Sequence, residues 1–154
     1  MRYWLMKTEP GTFGVEHLAA APRSTTAWDG VRNFQARNML RDEVRRGDQA
    51  FLYHSSCAVP GIVAVMQIVK QGYPDPTAFD RKHHHYDPES DPGNPRWFMV
   101  DVQLKRRLAR TIALEELRAH AGKELKGMVL LRPGNRLSIT PVEAAHWKFI
   151  LSLE

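Results

Sequence analysis

Residues 60–73, PGIVAVMQIVKQGY, leave few options for the chain that contains them. The run is rich in β-branched residues, opens on a Pro-Gly break and reads as a strand. Its continuous apolar stretch, GIVAVM, falls far short of the ~20 residues that a membrane helix needs. A run of this kind is buried on both faces of a sheet, or forms a barrel wall covered by a helix. WFMVDVQLKRRL, from Trp97 to Leu108, instead alternates, with Phe98, Val100, Val102 and Leu104 on one face of a half-buried strand. YWLMKT (3–8), QAFLYHSS (49–56) and RLSI (136–139) read as further strands. Helices are expected near 15–20, from about Asn33 to Val44, and over LEELRAHA (114–121). A final helix is expected with Thr140 as N-cap, Pro141 in its first position and Glu143 completing a capping box. Val142, Ala145, His146, Phe149 and Ile150 would form its apolar stripe. Several short strands with few helices between them predict an α+β fold around a small, strongly curved or closed antiparallel sheet flanked by short helices.

Between the third and fourth of these strands lies PDPTAFDRKHHHYDPESDPGNPR (74–96), whose five prolines cannot build a core element. A loop of that length is usually functional or mobile. The 154 residues fit one domain with one core. One cysteine, Cys57, excludes an internal disulfide and a multi-cysteine zinc site. The N-terminus reads as a strand rather than a signal peptide, and a cytoplasmic monomer without a membrane segment is expected. Twenty-two Lys and Arg against 17 Asp and Glu give a net charge of +5, which favours polyanionic partners, nucleic acid first. Arg41, Arg45 and Arg46 form one basic cluster; Lys105, Arg106, Arg107 and Arg110 form another.

WDGVRNFQARN (28–38) spends its side chains on flat surfaces and hydrogen-bond donors where a core helix would carry an apolar stripe. Trp28 either plugs one end of the barrel or offers its indole face to a base; such stacking contributes ~1–3 kcal/mol. Asn33 caps the helix or reads a base edge. Arg32 is solvated, or meets a phosphate, or stacks; Arg37 shares the face of Asn33. In YHSS, His54 and Ser55 point apart and no G-x-S-x-G elbow is present, so pocket-rim groups are preferred to a hydrolase pair. Lys7, Thr8 and Glu9 likewise alternate and assemble no nucleophile with its base. His83, His84 and His85 lack metal-site spacing, and no metal or other cofactor is expected. Trp97 is either core or a second wall of the same pocket.

Together YWLMKTEP, WDGVRNFQARNML, GDQAFLYHSS, PGIVAVMQIV, YPDPTAFD, NPRWFMVDV, LLRPGNRLSITPV and the final helix resemble the EVE domain family, a branch of the PUA-like superfamily related to YTH and ASCH domains. The resemblance covers nearly the whole chain and implies one EVE domain over residues 1–154, with a PUA-like β-barrel. It also implies a pocket for a flipped, modified base such as a modified cytosine, in DNA or RNA, bound without catalysis. An ASCH-like enzyme acting on a modified nucleoside, or a protein-interaction module, is the alternative. Carried over by matching positions, the pocket draws on Lys7, Thr8, Trp28, Val31, Arg32, Asn33, Tyr53, His54, Ser55 and Trp97. Phosphate contacts are expected from Arg37, Arg45, Arg46, Lys105, Arg106 and Arg107. Gly14 and Ala113 stand where family helices carry capping side chains.

Overall fold

The computed structural model describes residues 1–154. Strands β1 (Tyr3–Thr8), β2 (Thr25–Ala27), β3 (Gln49–His54), β4 (Gly61–Pro74), β5 (Phe98–Ala113) and β6 (Ile139–Val142) form one sheet in the order β2-β5-β4-β3-β1-β6. Helices α1 (Val15–Ala20), α2 (Phe34–Asn38), α3 (Leu114–Ala119) and α4 (Ala144–Ser152) complete an α+β fold. The apolar run of β4 is buried on both faces, as its composition implies. Ala64, Met66 and Ile68 enter a core cluster with Trp4, Met6 and Trp28, while Ile62 and Val65 enter a second with Leu5, Phe51 and Trp147.

The sheet departs from the antiparallel, closed expectation in two respects. β1 and β3 run parallel, from Tyr3 opposite Gln49 to Thr8 opposite His54. The forty residues between them carry two helices, the long crossover that a parallel pair requires. The outer strands β2 and β6 do not pair with each other, so the sheet is strongly bent but open. Its bend comes from β4 and β5, whose pairing shifts register at four places. Three of the shifts leave one extra residue on one strand, and the shift between Ile62 and Ala64 leaves three on β5; each turns the ladder.

The final helix also starts later than expected. Thr140 and Pro141 lie in β6, opposite Leu5 and Trp4, and Glu143 is the residue that flanks α4. Proline is tolerated there because β6 is an edge strand and pairs on one side only. Trp147, outside the anticipated stripe, is the anchor of α4: its ring stacks on Phe51 at 3.8 Å and on Tyr3 at 4.5 Å. The helix expected over 33–44 is α2 followed by a wider π-helical turn, Met39–Glu43. At the turn before β3, the buried carboxylate of Asp48 accepts the N–H groups of Arg2, Trp4 Nε1 and Arg45 at 2.9–3.0 Å, which ties the start of β1 to the rest of the sheet.

Candidate functional site

A cleft of about 450 Å³ opens at the carboxyl end of β1. Lys7 and Thr8 come from β1, Phe13 from the turn that follows, and Trp28, Val31 and Arg32 from the loop between β2 and α2. His83, His84 and His85 face them from the proline-rich loop.

The Trp-Asp-Gly turn is built around Gly30. Its φ of +77° is left-handed, and a Cβ there would lie 2.3 Å from the His85 ring, so only glycine lets the two loops meet. Trp28 N–H donates to Val100 O at 2.7 Å, which fixes the turn to β5. Trp28 is 8% exposed: most of it packs in the core, and the remainder borders the cleft. It is therefore both a core residue and a wall of the cleft, and with the sheet open it plugs no barrel.

Asp75, which the sequence does not single out, holds this arrangement together. Its buried carboxylate accepts Gly30 N–H at 2.9 Å and Arg32 Nη1 at 3.0 Å on one oxygen. The other oxygen accepts the Thr77 N–H at 2.9 Å and the Thr77 hydroxyl at 2.6 Å. Burial alone would push the Asp75 carboxyl up; the hydrogen bonds from Thr77, Gly30 and Arg32 outweigh it and hold the group below the usual carboxylate range. Arg32 spends its remaining donors on the His85 carbonyl, at 2.8 and 3.1 Å, on Val31 O and on Thr77 Oγ1. Its guanidinium staples the proline-rich loop to the cleft and has no donor to spare for a phosphate.

The other sequence candidates lie elsewhere. Asn33 caps α2, accepting Ala36 N–H at 3.0 Å. Tyr53 is buried in the second core cluster. His54 Nε2 accepts Val15 N–H at 3.1 Å, while His17 Nδ1 accepts Gly14 N–H at 2.9 Å. These two imidazoles do for α1 what a capping side chain at Gly14 would have done. Ser55 donates to Thr8 O at 3.4 Å and borders an adjoining hollow. Trp97 is not a wall of the cleft: its indole N–H donates to Asp87 at 2.6 Å and its ring stacks on Phe34 at 4.8 Å. His54 and Ser55, each engaged separately, form no nucleophile–base pair.

None of the six expected phosphate contacts lines the cleft. Arg106 pairs with Glu154 and Arg107 with Glu16, each at 2.7 Å. Arg37 donates to Arg96 O at 2.6 Å, and Arg45 and Arg46 border a separate surface hollow beside Arg2. Lys105 is exposed. The three consecutive histidines do come together, with one nitrogen of each within 4.8 Å of the others. However, the His83 and His84 rings are stacked, with 17° between their planes, and His83 Nδ1 accepts the His85 N–H. Stacked rings send their lone pairs along parallel planes, so ligation of one metal ion would require them to turn.

A model of the EVE domain matches residues 2–153. The chain belongs to the EVE domain family. Over 167 aligned positions it is 47% identical to thymocyte nuclear protein 1 of Homo sapiens, with 99% of this chain and 73% of that protein covered. A crystal structure of human THYN1 protein in complex with 5-methylcytosine containing DNA superposes on this EVE domain with a TM-score of 0.94 at 47% identity, covering 99% of this chain and 97% of that one. A protein from Pseudomonas putida gives 0.92 at 41% identity, with 98% of each chain covered. An ASCH protein from Zymomonas mobilis, 10% identical, gives 0.57 and shares the fold. No helix is long and apolar enough to cross a membrane.

Proposed function

We propose that residues 1–154 act as one EVE domain that takes a modified cytosine, turned out of a nucleic-acid strand, into the Trp28 cleft and holds it without chemical change. The observation that carries this reading is the 0.94 superposition on a human protein that was crystallised with 5-methylcytosine containing DNA. The cleft itself supports it. It is rimmed by one partly accessible indole, by Phe13 and by the polar groups of Lys7, Thr8 and Ser138, a mixture suited to a planar heterocycle with polar edges. Turning a base out of its stack costs a few kcal/mol, which ring stacking and two or three hydrogen bonds offset.

Retention without turnover is favoured by the local hydrogen bonding. The hydroxyls of Thr8 and Ser55 both donate to backbone carbonyls, of Phe13 and Thr8, so neither gives its proton to a side-chain base. The test is a panel of oligonucleotides carrying cytosine, 5-methylcytosine or 5-hydroxymethylcytosine, as DNA and as RNA, followed by titration and by chromatography of the recovered strand. Tighter binding of a modified strand, recovered intact, is expected. Equal affinity across the panel refutes the reader function, and a new product refutes the absence of catalysis.

A further inference from the structure

The cleft does not end at the aromatic residues. It continues into a second hollow of about 440 Å³ with which it shares Lys7, Thr8, Thr12, Gly30, His85 and Ser138, and which adds Ser55, Glu9 and Arg136 without a single apolar side chain. We propose that this hollow is a phosphate subsite, in which Lys7 and Arg136 hold a phosphate flanking the nucleotide whose base occupies the cleft. The proposal rests on the base-binding reading above and makes the recognised unit a nucleotide within a strand, not a free nucleobase or nucleoside.

Three observations support it. First, these two cations are uncommitted: neither side chain has a hydrogen-bond or ion-pair partner in the chain, whereas Arg32, Arg106 and Arg107 are all engaged by carboxylates. Second, Lys7 is only half-exposed, with its ammonium 5.9 Å from the Tyr53 ring centroid, and burial lowers its pKa. A partly desolvated ammonium without a counter-charge is satisfied by an arriving anion, and a charge-assisted bond of this type is among the stronger polar contacts. Third, the Ser138 hydroxyl borders the same hollow and, unlike those of Thr8 and Ser55, donates to no group of the chain, so it can turn toward an oxyanion. Glu9 opposes the site; it is exposed at the rim, and it leaves the hollow with a net charge of +1.

The experiment is a double-mutant cycle between the protein and the strand. A 5-methylcytosine DNA strand is made with one of the two phosphates beside the modified base replaced by an uncharged methylphosphonate. For the native protein, neutralising the phosphate that enters the hollow should weaken binding by about tenfold. For Lys7→Met combined with Arg136→Gln, the same replacement should change affinity by less than about twofold, because the interaction has already been removed. Glu9→Gln should tighten native binding. Arg136 is exposed, so Arg136→Gln alone keeps the fold and should show part of the effect even where Lys7→Met lowers stability. An undiminished methylphosphonate penalty in the double variant, at both positions, overturns the subsite. The same cycle run with plain cytosine separates this from the base-binding reading: a strand in which modification makes no difference refutes that reading, and the phosphate cycle still returns its own answer.

Discussion

Asp75→Asn is the most informative single change, because residue 75 does not border the cleft yet shapes it. One oxygen accepts Gly30 N–H and Arg32 Nη1, and the other accepts Thr77 N–H and Oγ. An amide must place its NH₂ against one of these pairs. Facing Gly30 and Arg32, it loses two bonds, one of them charge-assisted; facing Thr77, it loses the backbone bond while the hydroxyl turns to accept. In either orientation the ion pair to Arg32 is gone, although Arg32 is 23% exposed and regains some hydration. Bonds to charged groups contribute ~1.5–3 kcal/mol each, so the total loss should be about 2–4 kcal/mol. For a chain of this size that lowers the melting temperature by roughly 5–15 °C. Thermal denaturation followed by circular dichroism measures it, and titration with a modified oligonucleotide well below the new midpoint measures the effect on the cleft. Affinity should fall as well, since the Trp-Asp-Gly turn is then held only from β5. A midpoint within about a degree of the native one would refute the energetic argument; a lowered midpoint with native affinity would refute the positioning argument.

Trp28→Phe should reduce affinity with a small change in melting temperature, whereas Trp28→Ala should also destabilise by about 3–5 kcal/mol because most of the ring is core; calorimetric melts beside binding titrations separate the two effects. Arg106→Gln with Arg107→Gln should leave affinity within about twofold, since both guanidiniums already pair with carboxylates, while Lys7→Met with Arg136→Gln, which removes the contact to one phosphate, should make the log–log salt slope shallower by about one in titrations at several salt concentrations. Burial holds both His54 and His85 below the ordinary imidazole range. A depressed imidazole binds fewer protons folded than unfolded, so the stability it contributes is present above the unfolded pKa of ~6.5 and is lost as pH falls below it. Urea titrations between pH 7.5 and 5 should therefore show falling stability, with a shallower fall in His54→Gln.

Four strands were legible because alternation and β-branching are local properties, and the apolar run of β4 does lie between two cores; the three-residue β2 was not, and the last strand begins at Ile139, where the expected RLSI ends. The parallel pairing of β1 with β3 was not, since a strand's composition does not name its neighbour. Trp28 and Trp97 look alike in sequence, each an indole in polar surroundings. Only the partners that the fold brings up, Val100 O for one and Asp87 for the other, separate a cleft wall from a loop anchor. Asp75 was hidden in a segment whose prolines suggest mobility. Its bonds reach across 43 and 45 residues, which no periodicity reveals. His54 was assigned to the cleft by its place at the end of a strand and by matching positions, and nothing local shows that its imidazole instead completes the α1 start, where Gly14 brings no capping side chain. In the basic clusters, counting charges does not reveal that Arg106 and Arg107 are already paired with distant glutamates.

β1 lies between β3 and β6, and Lys7 N–H donates to Ser138 O at 2.8 Å, so one side of the cleft is sewn from two segments far apart in the sequence. During synthesis the aromatic residues of the opposite side emerge early, but the polar side cannot close until the segment around residue 138 leaves the ribosome. A chain that stops short of residue 138 therefore lacks the carbonyl that holds Lys7, and its cleft has no polar side.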